Sequence, residues 1–370
     1  MKEIIKQGIN KTIEKLYPEQ KDIGFSVDYA PENVDADFAS NAAMVLAKKL
    51  GKKPMEVALV ILNEAKNLMR SFGVPQDDKI FTINVVPPGF INFKLSPEQL
   101  AENLQRINQK KDKFGQTNLG QGKLAIVEYF QLNVAKPPHV GHLRSAVIGD
   151  SLKRILRFVG YKAVSDTHVG DWGTQFGLLL LAYKILNGKQ RVKDNPLEEL
   201  NELYVEINER LEAEPELREQ GKQEFVKLEK GDKGNRKLWE FFVKVSKKKF
   251  EEMIELLDLE PFEYELGESF YVDKMKEVLD TLEQKKFLTH GETGEKYVDL
   301  EKFGLGRLIC VKSDGGTTYE MRDLATLAYR YDKIGKGKLA WNLYIVDTRQ
   351  THDFRQVFKT MGMLGYDVSK

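Results

Sequence analysis

The sequence predicts an α/β protein in which a small α+β unit precedes a parallel-sheet domain that carries a helical insertion. Three observations predict it. A strand–loop–helix–strand pattern starts at residue 123, a charged and mostly helical stretch covers about 187–300, and helical and strand-like patterns alternate before residue 110. A chain of 370 residues has room for two or three domains, and 41% hydrophobic residues suffice for sizeable cores.

The smaller unit, residues 1–110, begins with apolar residues at helical spacing between positions 4 and 16. Two further helices are predicted, Asp37 to Leu50 and Pro54 to Phe72, because a glycine follows each of them. Two strand-like runs then predict a hairpin over residues 79–95, and a polar helix comes after it. The Gly-rich stretch TNLGQGK next predicts a linker between the two units.

The larger unit, residues 120–370, opens with KLAIVEYF, which is typical of a buried strand. A helix from Gly141 to Val159 is predicted to pack through one apolar face, and YKAVSDTHV predicts the next strand. Strand, helix and strand in this order predict a parallel sheet. After the insertion, GRLICVK predicts a return to the α/β pattern. The predicted apolar face comprises Leu143, Val147, Ile148, Leu152, Ile155, Leu156 and Val159.

The amino-acid composition argues against several classes of function. The 57 basic and 56 acidic residues argue against a uniformly basic surface for nucleic acid, although they leave room for a local basic patch. The single cysteine, Cys310, cannot form a disulfide within the chain, which fits a reducing compartment. The N-terminus lacks the signal-peptide pattern, and the most apolar run, residues 177–186, is too short to span a bilayer. We therefore expect a cytoplasmic protein that does not enter a membrane.

The strongest chemical signal is NVAKPPHVGHLRSAVIGD, residues 133–150, which follows a predicted strand and opens a predicted helix. The first turn of a helix offers N–H groups that suit a phosphate, and Gly141 would let a nucleotide approach the backbone. His139 and His142 are one helical turn apart, so both can face one ligand and donate hydrogen bonds to it. Two alternatives are half of a zinc site, although Cys310 is the only cysteine that could complete it, and ordinary polar histidines.

The sequence HVGH preceded by NVAKPP resembles the HIGH motif of class I aminoacyl-tRNA synthetases. The blocks around it resemble arginyl-tRNA synthetases and occur in the order typical of that family. They are VEYFQLNVAKPPHVGHLRSAVIGDSLKRIL, HVGDWGTQFG, SDGGTTYEMRDLATLAYR and YIVDTRQTHDFRQVF, after ADFASNAAMVLAKKLGKKP and VPPGFINFKLS near the N-terminus. The resemblance covers nearly the whole chain, least clearly residues 187–300. Four of the five histidines lie in these blocks, which favours a functional role for His139 and His142.

The resemblance implies a pocket for substrate arginine. A guanidinium is planar, always charged and has five donors, so its pocket requires acceptors in fixed places. Tyr319 and Asp323 are four residues apart, so a helix would present both on one face. Core packing of Tyr319, and a helix cap or surface acid paired with Arg322 in the case of Asp323, are the alternatives. The implied arginine-binding residues are Glu128, Asn133, Tyr319, Asp323 and Gln350.

The resemblance also implies catalytic and ATP-binding roles for His139, His142 and Lys136, with Gly141 beside the nucleotide. Lys136 would supply the cation that other class I enzymes take from a KMSKS loop, and its alternative is a solvated loop lysine. The block HVGDWG is expected to line the site at the carboxyl end of a strand, and a purely structural turn is its alternative. Its candidate residues are His168, Asp171 and Trp172.

The fold implied for residues 120–370 is a Rossmann-type catalytic domain, and residues 1–110 would be an additional tRNA-binding domain. The implied reaction joins L-arginine to tRNA(Arg) through arginyl-adenylate. ATP with Mg²⁺ would be a substrate, and we expect no tightly bound cofactor, no protein-bound metal and a monomer. The family generally needs bound tRNA before it activates arginine.

By the same resemblance the catalytic domain is incomplete at its C-terminal end and the anticodon-binding domain is absent, so we expect a truncated chain that charges tRNA poorly. Two alternatives are a catalytically idle tRNA-binding fragment and another adenylate-forming or nucleotidyl-transferring enzyme of the same superfamily.

Overall fold

The computed structural model describes residues 1–20, 23–69 and 81–369. The chain divides into two compact units, Met1–Gly115 and a second that starts at Gln116.

The first unit packs helices on one antiparallel sheet. Its elements are α1 (Lys2–Leu16), β1 (Val27–Tyr29), β2 (Phe38–Ser40), α2 (Ala42–Leu50), α3 (Pro54–Met69), β3 (Phe81–Val86), β4 (Phe90–Leu95) and α4 (Pro97–Lys110). The strand order is β1-β2-β4-β3, and β3 and β4 form the predicted hairpin. The core includes Ile5, Ile9 and Ile13 of α1, so the helical spacing of these residues marks a buried face.

One helix of this unit is shorter than predicted. Residues 38–40 form strand β2 between β1 and β4, and the helix starts only at Ala42. Phe38 and Ser40 are buried at alternate positions, and two paired neighbours satisfy the backbone groups of such a short strand. The predicted C-terminal end of the third helix, near Phe72, lies outside the described residues.

The second unit combines a parallel sheet, a group of helices and a small antiparallel sheet. Its elements are β5 (Leu124–Glu128), α5 (Val140–Phe158), β6 (Lys162–Asp166), α6 (Thr174–Ile185), α7 (Gly188–Arg191), α8 (Pro196–Arg210), α9 (Glu216–Glu229), α10 (Lys233–Leu256), α11 (Val272–Gln284), β7 (Leu288–His290), β8 (Lys296–Asp299), β9 (Arg307–Val311), α12 (Tyr319–Tyr329), β10 (Leu339–Tyr344) and α13 (Thr351–Leu364). The parallel sheet has the order β10-β5-β6, which confirms the predicted fold class.

GRLICVK forms the strand with which the predicted α/β pattern resumes, although this strand does not join the parallel sheet. Its residues form β9, which pairs antiparallel with β8 in the separate sheet β7-β8-β9. The stretch of 187–300 is accordingly helical only as far as α11 and ends in strands. A short run with alternating burial is compatible with either kind of sheet, and tertiary pairing decided which one formed.

The predicted packing face of α5 is also wrong. Val147 and Ile155 are 50% and 56% exposed, whereas Ala146, Gly149 and Asp150 are buried. The cause is a close approach to the strand, because a Cβ atom at Gly149 would lie only 2.1 Å from the ring of Tyr129. The polar groups of this face are paired, since the Tyr129 hydroxyl donates to Asp150 Oδ1 at 3.2 Å.

The predicted linker is part of the second unit. The N–H of Gly120 donates to Val159 O at 2.9 Å, and that of Gly122 donates to Gly160 O at 2.8 Å. A Cβ atom at Gly120 would lie 2.3 Å from Tyr161 N, so only glycine fits there. These contacts fix the stretch against the C-terminal end of α5.

The apolar run at residues 177–186 forms most of α6, and most of its residues are buried, as predicted. Gly177 faces Gly221 of α9 so closely that a Cβ atom would lie 2.1 Å from the Gly221 carbonyl oxygen. Among the helices in the described ranges, none has the length and apolar character needed to cross a membrane.

Candidate active site

Two loops meet at the carboxyl ends of β5 and β6. The N–H of Gly170 donates to Leu132 O at 2.8 Å, and the N–H of Val134 donates to Gly170 O at 3.0 Å. A side chain at position 170 would displace Asn133, because a Cβ atom there would lie 2.2 Å from Asn133 Oδ1. The edge of the sheet where open α/β folds bind ligands is therefore built from directly bonded loops.

His139 and His142 lie side by side at the N-terminus of α5, with ring centroids 3.9 Å apart. His139 Nδ1 accepts from the N–H of Gly141 at 3.1 Å, and His142 Nδ1 accepts from the N–H of His139 at 3.1 Å. In the first helical turn, which was expected to offer N–H groups to a phosphate, the N–H of Gly141 is thus already bonded to a side chain. Two backbone bonds instead orient the two imidazoles.

The same bonds fix which ring nitrogen carries the proton. Because each Nδ1 accepts a hydrogen bond, the neutral rings carry their protons on Nε2. Burial lowers the pKa of His142, and the neighbouring His139 lowers it further, so His142 is neutral at pH 7. The two Nε2–H groups can donate to the oxygens of a phosphate as negative charge develops on them.

Lys136 is exposed and points towards the inserted helices. Its Nζ lies 5.3 Å from the ring centroid of Tyr204 in α8, which is within cation–π range. The preceding residue, Ala135, has a φ angle of 59°, a conformation that few residues other than glycine adopt. The position of Lys136 is therefore set by an unusual backbone turn and by an aromatic contact.

Glu128 ends β5 and is buried. Its Oε1 accepts from Gln131 Nε2 at 3.0 Å, and its Oε2 lies 2.5 Å from Nη2 of Arg330. Arg330 has no exposed surface and also bonds Asp166 Oδ2 at 2.8 Å. Burial is the largest influence and opposes ionisation of Glu128, but the charges of Arg330 and His168 and the hydrogen bonds from Gln131 and Arg330 together hold the pKa of Glu128 below its usual value. Glu128 is therefore ionised and already has a cationic partner.

Asp323 is half-buried on α12, one turn after Tyr319. It does not cap the helix, because Thr318 Oγ1 accepts from Met321 N, and Arg322 pairs with Glu268 at 3.5 Å. Burial raises the pKa of Asp323 well above its usual value, and the charges of Glu128 and Glu268 raise it further. The structure thus places Asp323 and Glu128 in one electrostatic environment.

The other arginine-binding candidates are at the surface. Asn133 is exposed in the loop after β5. Tyr319 is 63% exposed, which excludes core packing, and the Arg322 guanidinium lies 4.9 Å from its ring centroid. Gln350 is exposed at the end of the short 3₁₀ turn Thr348–Gln350.

The side chains of HVGDWG are largely engaged with the protein. Asp171 accepts from the backbone and the hydroxyl of Ser269 at 2.8 and 2.6 Å. Trp172 packs edge-on against Phe225 and Trp239. These contacts are those of a structural turn. His168 differs, because its ring stacks on Tyr271 while its buried Nδ1 has no hydrogen-bond partner within the described residues.

The sequence predicted no site role for Arg330, Asp166, Glu268 or Arg322. Asp166 carried one usable signal, since it ends a predicted parallel strand at the edge where ligands bind. No such signal marks Arg330, because the neighbouring sequence does not distinguish a buried arginine from a surface one. Within the part of the chain that the structure describes, no group of three or more His, Cys, Asp or Glu side chains is arranged to hold a metal ion.

Two known protein families match this sequence. The family described as "tRNA synthetases class I (R), catalytic domain" matches residues 103–370, and "Arginyl tRNA synthetase N terminal domain" matches residues 3–95. This chain belongs to the arginyl-tRNA synthetase family. The family predicted from the motifs is therefore confirmed.

Individual relatives of this chain agree with this assignment. An arginine--tRNA ligase of Clostridioides difficile is 40% identical over 76% of this chain and 49% of its own length. Another, of Streptococcus uberis, is 36% identical over 98% of this chain and 62% of its own length. The chain thus spans about half to three-fifths of these relatives.

Two solved structures share the fold. The arginyl-tRNA synthetase of Plasmodium falciparum superimposes with a TM-score of 0.74 at 28% identity, covering 99% of this chain and 62% of that one. The Thermus thermophilus arginyl-tRNA synthetase gives 0.69 at 20% identity, covering 100% and 64%, and supports the fold alone.

Proposed function

We propose that this chain activates L-arginine with ATP to form arginyl-adenylate and transfers the arginyl group to the 2′-OH of the terminal adenosine of tRNA(Arg). One geometric observation carries the proposal beyond family membership. Glu128 ends β5, and the loop that follows ends in the paired imidazoles of His139 and His142. A carboxylate suited to a guanidinium and donors suited to a phosphate therefore stand at the two ends of a single loop.

In the first step, a carboxylate oxygen of arginine attacks the α-phosphorus of ATP, and the bond to the departing pyrophosphate breaks. The Nε2–H groups of His139 and His142 would donate to the oxygens on which charge develops, and Lys136 would add a cation. Gly141 would lie beside the nucleotide. Mg²⁺ arrives with ATP as part of the substrate, and no tightly bound cofactor belongs to this proposal.

In the second step, the 2′-OH oxygen bonds to the arginyl carbonyl carbon, AMP leaves and the hydroxyl proton is released. Arginine would be held by Glu128 and Asp323, with Asn133, Tyr319 and Gln350 closing around it when it binds. His168 would line the site, and Asp171 and Trp172 would shape it from behind. Residues 1–110 would contact tRNA. A monomer in the cytoplasm belongs to the same proposal.

The experiment is ATP–pyrophosphate exchange by the purified chain with tRNA(Arg) present. We expect exchange that depends on arginine, and a rate with lysine lower by about 10⁴, because lysine would leave fixed acceptors unpaired. Comparable exchange with lysine would refute the specificity.

A second candidate function is tRNA binding without catalysis, and the match of residues 3–95 to the family of arginyl-tRNA synthetase N-terminal domains supports it. Binding of tRNA(Arg) with no arginine-dependent exchange would establish it. Failure to bind tRNA, arginine and ATP would refute both functions.

A further inference from the structure

Helix α10 of the insertion contacts the backbone of both loops at the candidate site. Ser246 Oγ accepts from the N–H of Ala135 at 2.9 Å, in the loop that follows β5. Trp239 Nε1 donates to the carbonyl oxygen of Asp171 at 2.7 Å, in the loop that follows β6. The two side chains are seven residues apart, so they project from one face of α10 two turns apart.

A second hydrogen bond fixes the orientation of the buried Ser246 hydroxyl. This hydroxyl has no exposed surface, and it donates to the carbonyl oxygen of Phe242 at 2.9 Å, one turn earlier in α10. The hydroxyl proton is used in the bond to Phe242, so an oxygen lone pair remains to accept from the N–H of Ala135. Ala135 adopts a φ of 59°, which an alanine holds only when its surroundings stabilise it. The bond from Ser246 is a direct restraint on that turn.

The turn at Ala135 determines where Lys136 projects. The ammonium of Lys136 lies 5.3 Å from the ring centroid of Tyr204 in α8. The insertion therefore holds this lysine twice, through its preceding peptide by α10 and through its charge by α8. Trp239 restrains the neighbouring loop in the same way, and its ring packs edge-on against Trp172 at 5.8 Å.

We propose that Ser246 and Tyr204 are positioning residues for ATP, which act by fixing the Ala135 turn and the ammonium of Lys136. Trp239 is the corresponding restraint on the Asp171 loop. This inference rests on the proposed function, because it assigns the helical insertion a role in shaping that nucleotide site. None of these three side chains needs to touch the nucleotide.

The test uses the whole chain and two readouts that do not require turnover. Hydrogen–deuterium exchange reports on each loop. Calorimetry measures the dissociation constants of Mg²⁺–AMP-PNP, an ATP analogue with a β–γ imido bridge, and of arginine, each added alone so that no adenylate can form. For Ser246→Ala we expect faster exchange at residues 133–142, unchanged exchange at 168–173 and an AMP-PNP dissociation constant about tenfold higher, as for one lost hydrogen bond. The arginine dissociation constant should change less than about twofold. Trp239→Phe should instead accelerate exchange at 168–173.

Tyr204 provides a matched pair in case Ser246→Ala folds poorly. Tyr204→Phe keeps the ring face and should bind AMP-PNP like the parent, whereas Tyr204→Leu should bind it several-fold more weakly. Thr281→Ala is the control, because Thr281 makes the same kind of hydroxyl bond within a helix, to Glu277 O at 2.7 Å.

If the parent binds both ligands and neither Ser246→Ala nor Tyr204→Leu weakens AMP-PNP binding, the positioning role is wrong and the proposed function stands. A parent that binds neither ligand would overturn the proposed function, and with it the nucleotide site that this inference needs. Equal weakening of arginine and AMP-PNP binding would show a general structural role and would also overturn the inference.

Discussion

The guanidinium of Arg330 lies 2.5 Å from the carboxylate of Glu128, so an acceptor predicted for substrate arginine already holds an arginine of the chain itself. Arg330 also pairs with Asp166, and its Nε and Nη1 have no hydrogen-bond partner within the described residues. Two buried carboxyl groups therefore lie beside one cation, and burial raises the pKa of Asp166. Arg330 orients the Glu128 carboxylate within the candidate site.

Replacing Arg330 by methionine is expected to destabilise the second unit by roughly 3–5 kcal/mol, because two buried carboxylates lose their cation. The free energy of unfolding in denaturant measures this. Arg349→Met is the control, since Arg349 forms an exposed pair with Asp347 at 2.9 Å, and such pairs contribute little to stability. Adding Asp166→Asn to Arg330→Met should recover part of the loss. Similar losses for Arg330 and Arg349 would contradict the assignment.

Binding of arginine should release a proton from Asp323. Burial and the charges of Glu128, Glu268 and Glu320 raise its pKa, with Arg330 only partly opposing them, whereas a bound guanidinium favours the ionised form. The arginine dissociation constant should therefore fall as pH rises through the raised pKa of Asp323. Calorimetry in two buffers of different ionisation enthalpy measures the proton released.

Asp323→Asn is the matched variant for that experiment. It should bind arginine about 100-fold more weakly, lose the pH dependence and bind AMP-PNP normally, because only the guanidinium loses a charged partner. Equal weakening of arginine and AMP-PNP binding would place Asp323 outside the arginine pocket.

The sequence predicted those parts of the site that depend on local geometry. His139 and His142 pair because they are one turn apart at a helix start, and Tyr319 does begin a helix that also carries Asp323. It could not predict contacts between distant segments, such as Arg330 with Glu128. The apolar periodicity of α5 predicted the wrong packing face. The helix packs through the face that contains Gly149, where it approaches Tyr129 closely, and this leaves apolar residues such as Val147 exposed. Fold class follows from patterns along the chain, whereas pairing of buried charges follows from tertiary packing.

Loss of the His142 imidazole should slow arginyl-adenylate formation by about 100-fold, the usual effect of removing one transition-state donor. Pyrophosphate exchange by His142→Ala, with arginine and tRNA(Arg) saturating, measures it. His290→Ala is the control, because the His290 side chain bonds Glu283 at the exposed edge of the small antiparallel sheet. A loss below about threefold, with folding intact, would remove His142 from the mechanism.

Glu268 should make the stability of the second unit depend on pH. Burial raises its pKa from 4.5 to about 7, the nearby Asp171 adds to this, and Arg322 at 3.5 Å offsets only part of it. The folded state therefore binds more protons than the unfolded state between these values. The contribution of Glu268 to stability is full below about pH 4.5, declines as pH rises through the folded pKa, and is constant above it.

Glu268→Gln is neutral at every pH, so the difference in unfolding free energy between parent and variant isolates the contribution of the Glu268 carboxyl group. Relative to the variant, the parent should lose about 3 kcal/mol between pH 4.5 and pH 8, at about 1.4 kcal/mol per pKa unit. Denaturant unfolding of both proteins across this range measures the difference. A difference that stays constant with pH would mean that Glu268 ionises in the folded protein as readily as in the unfolded chain.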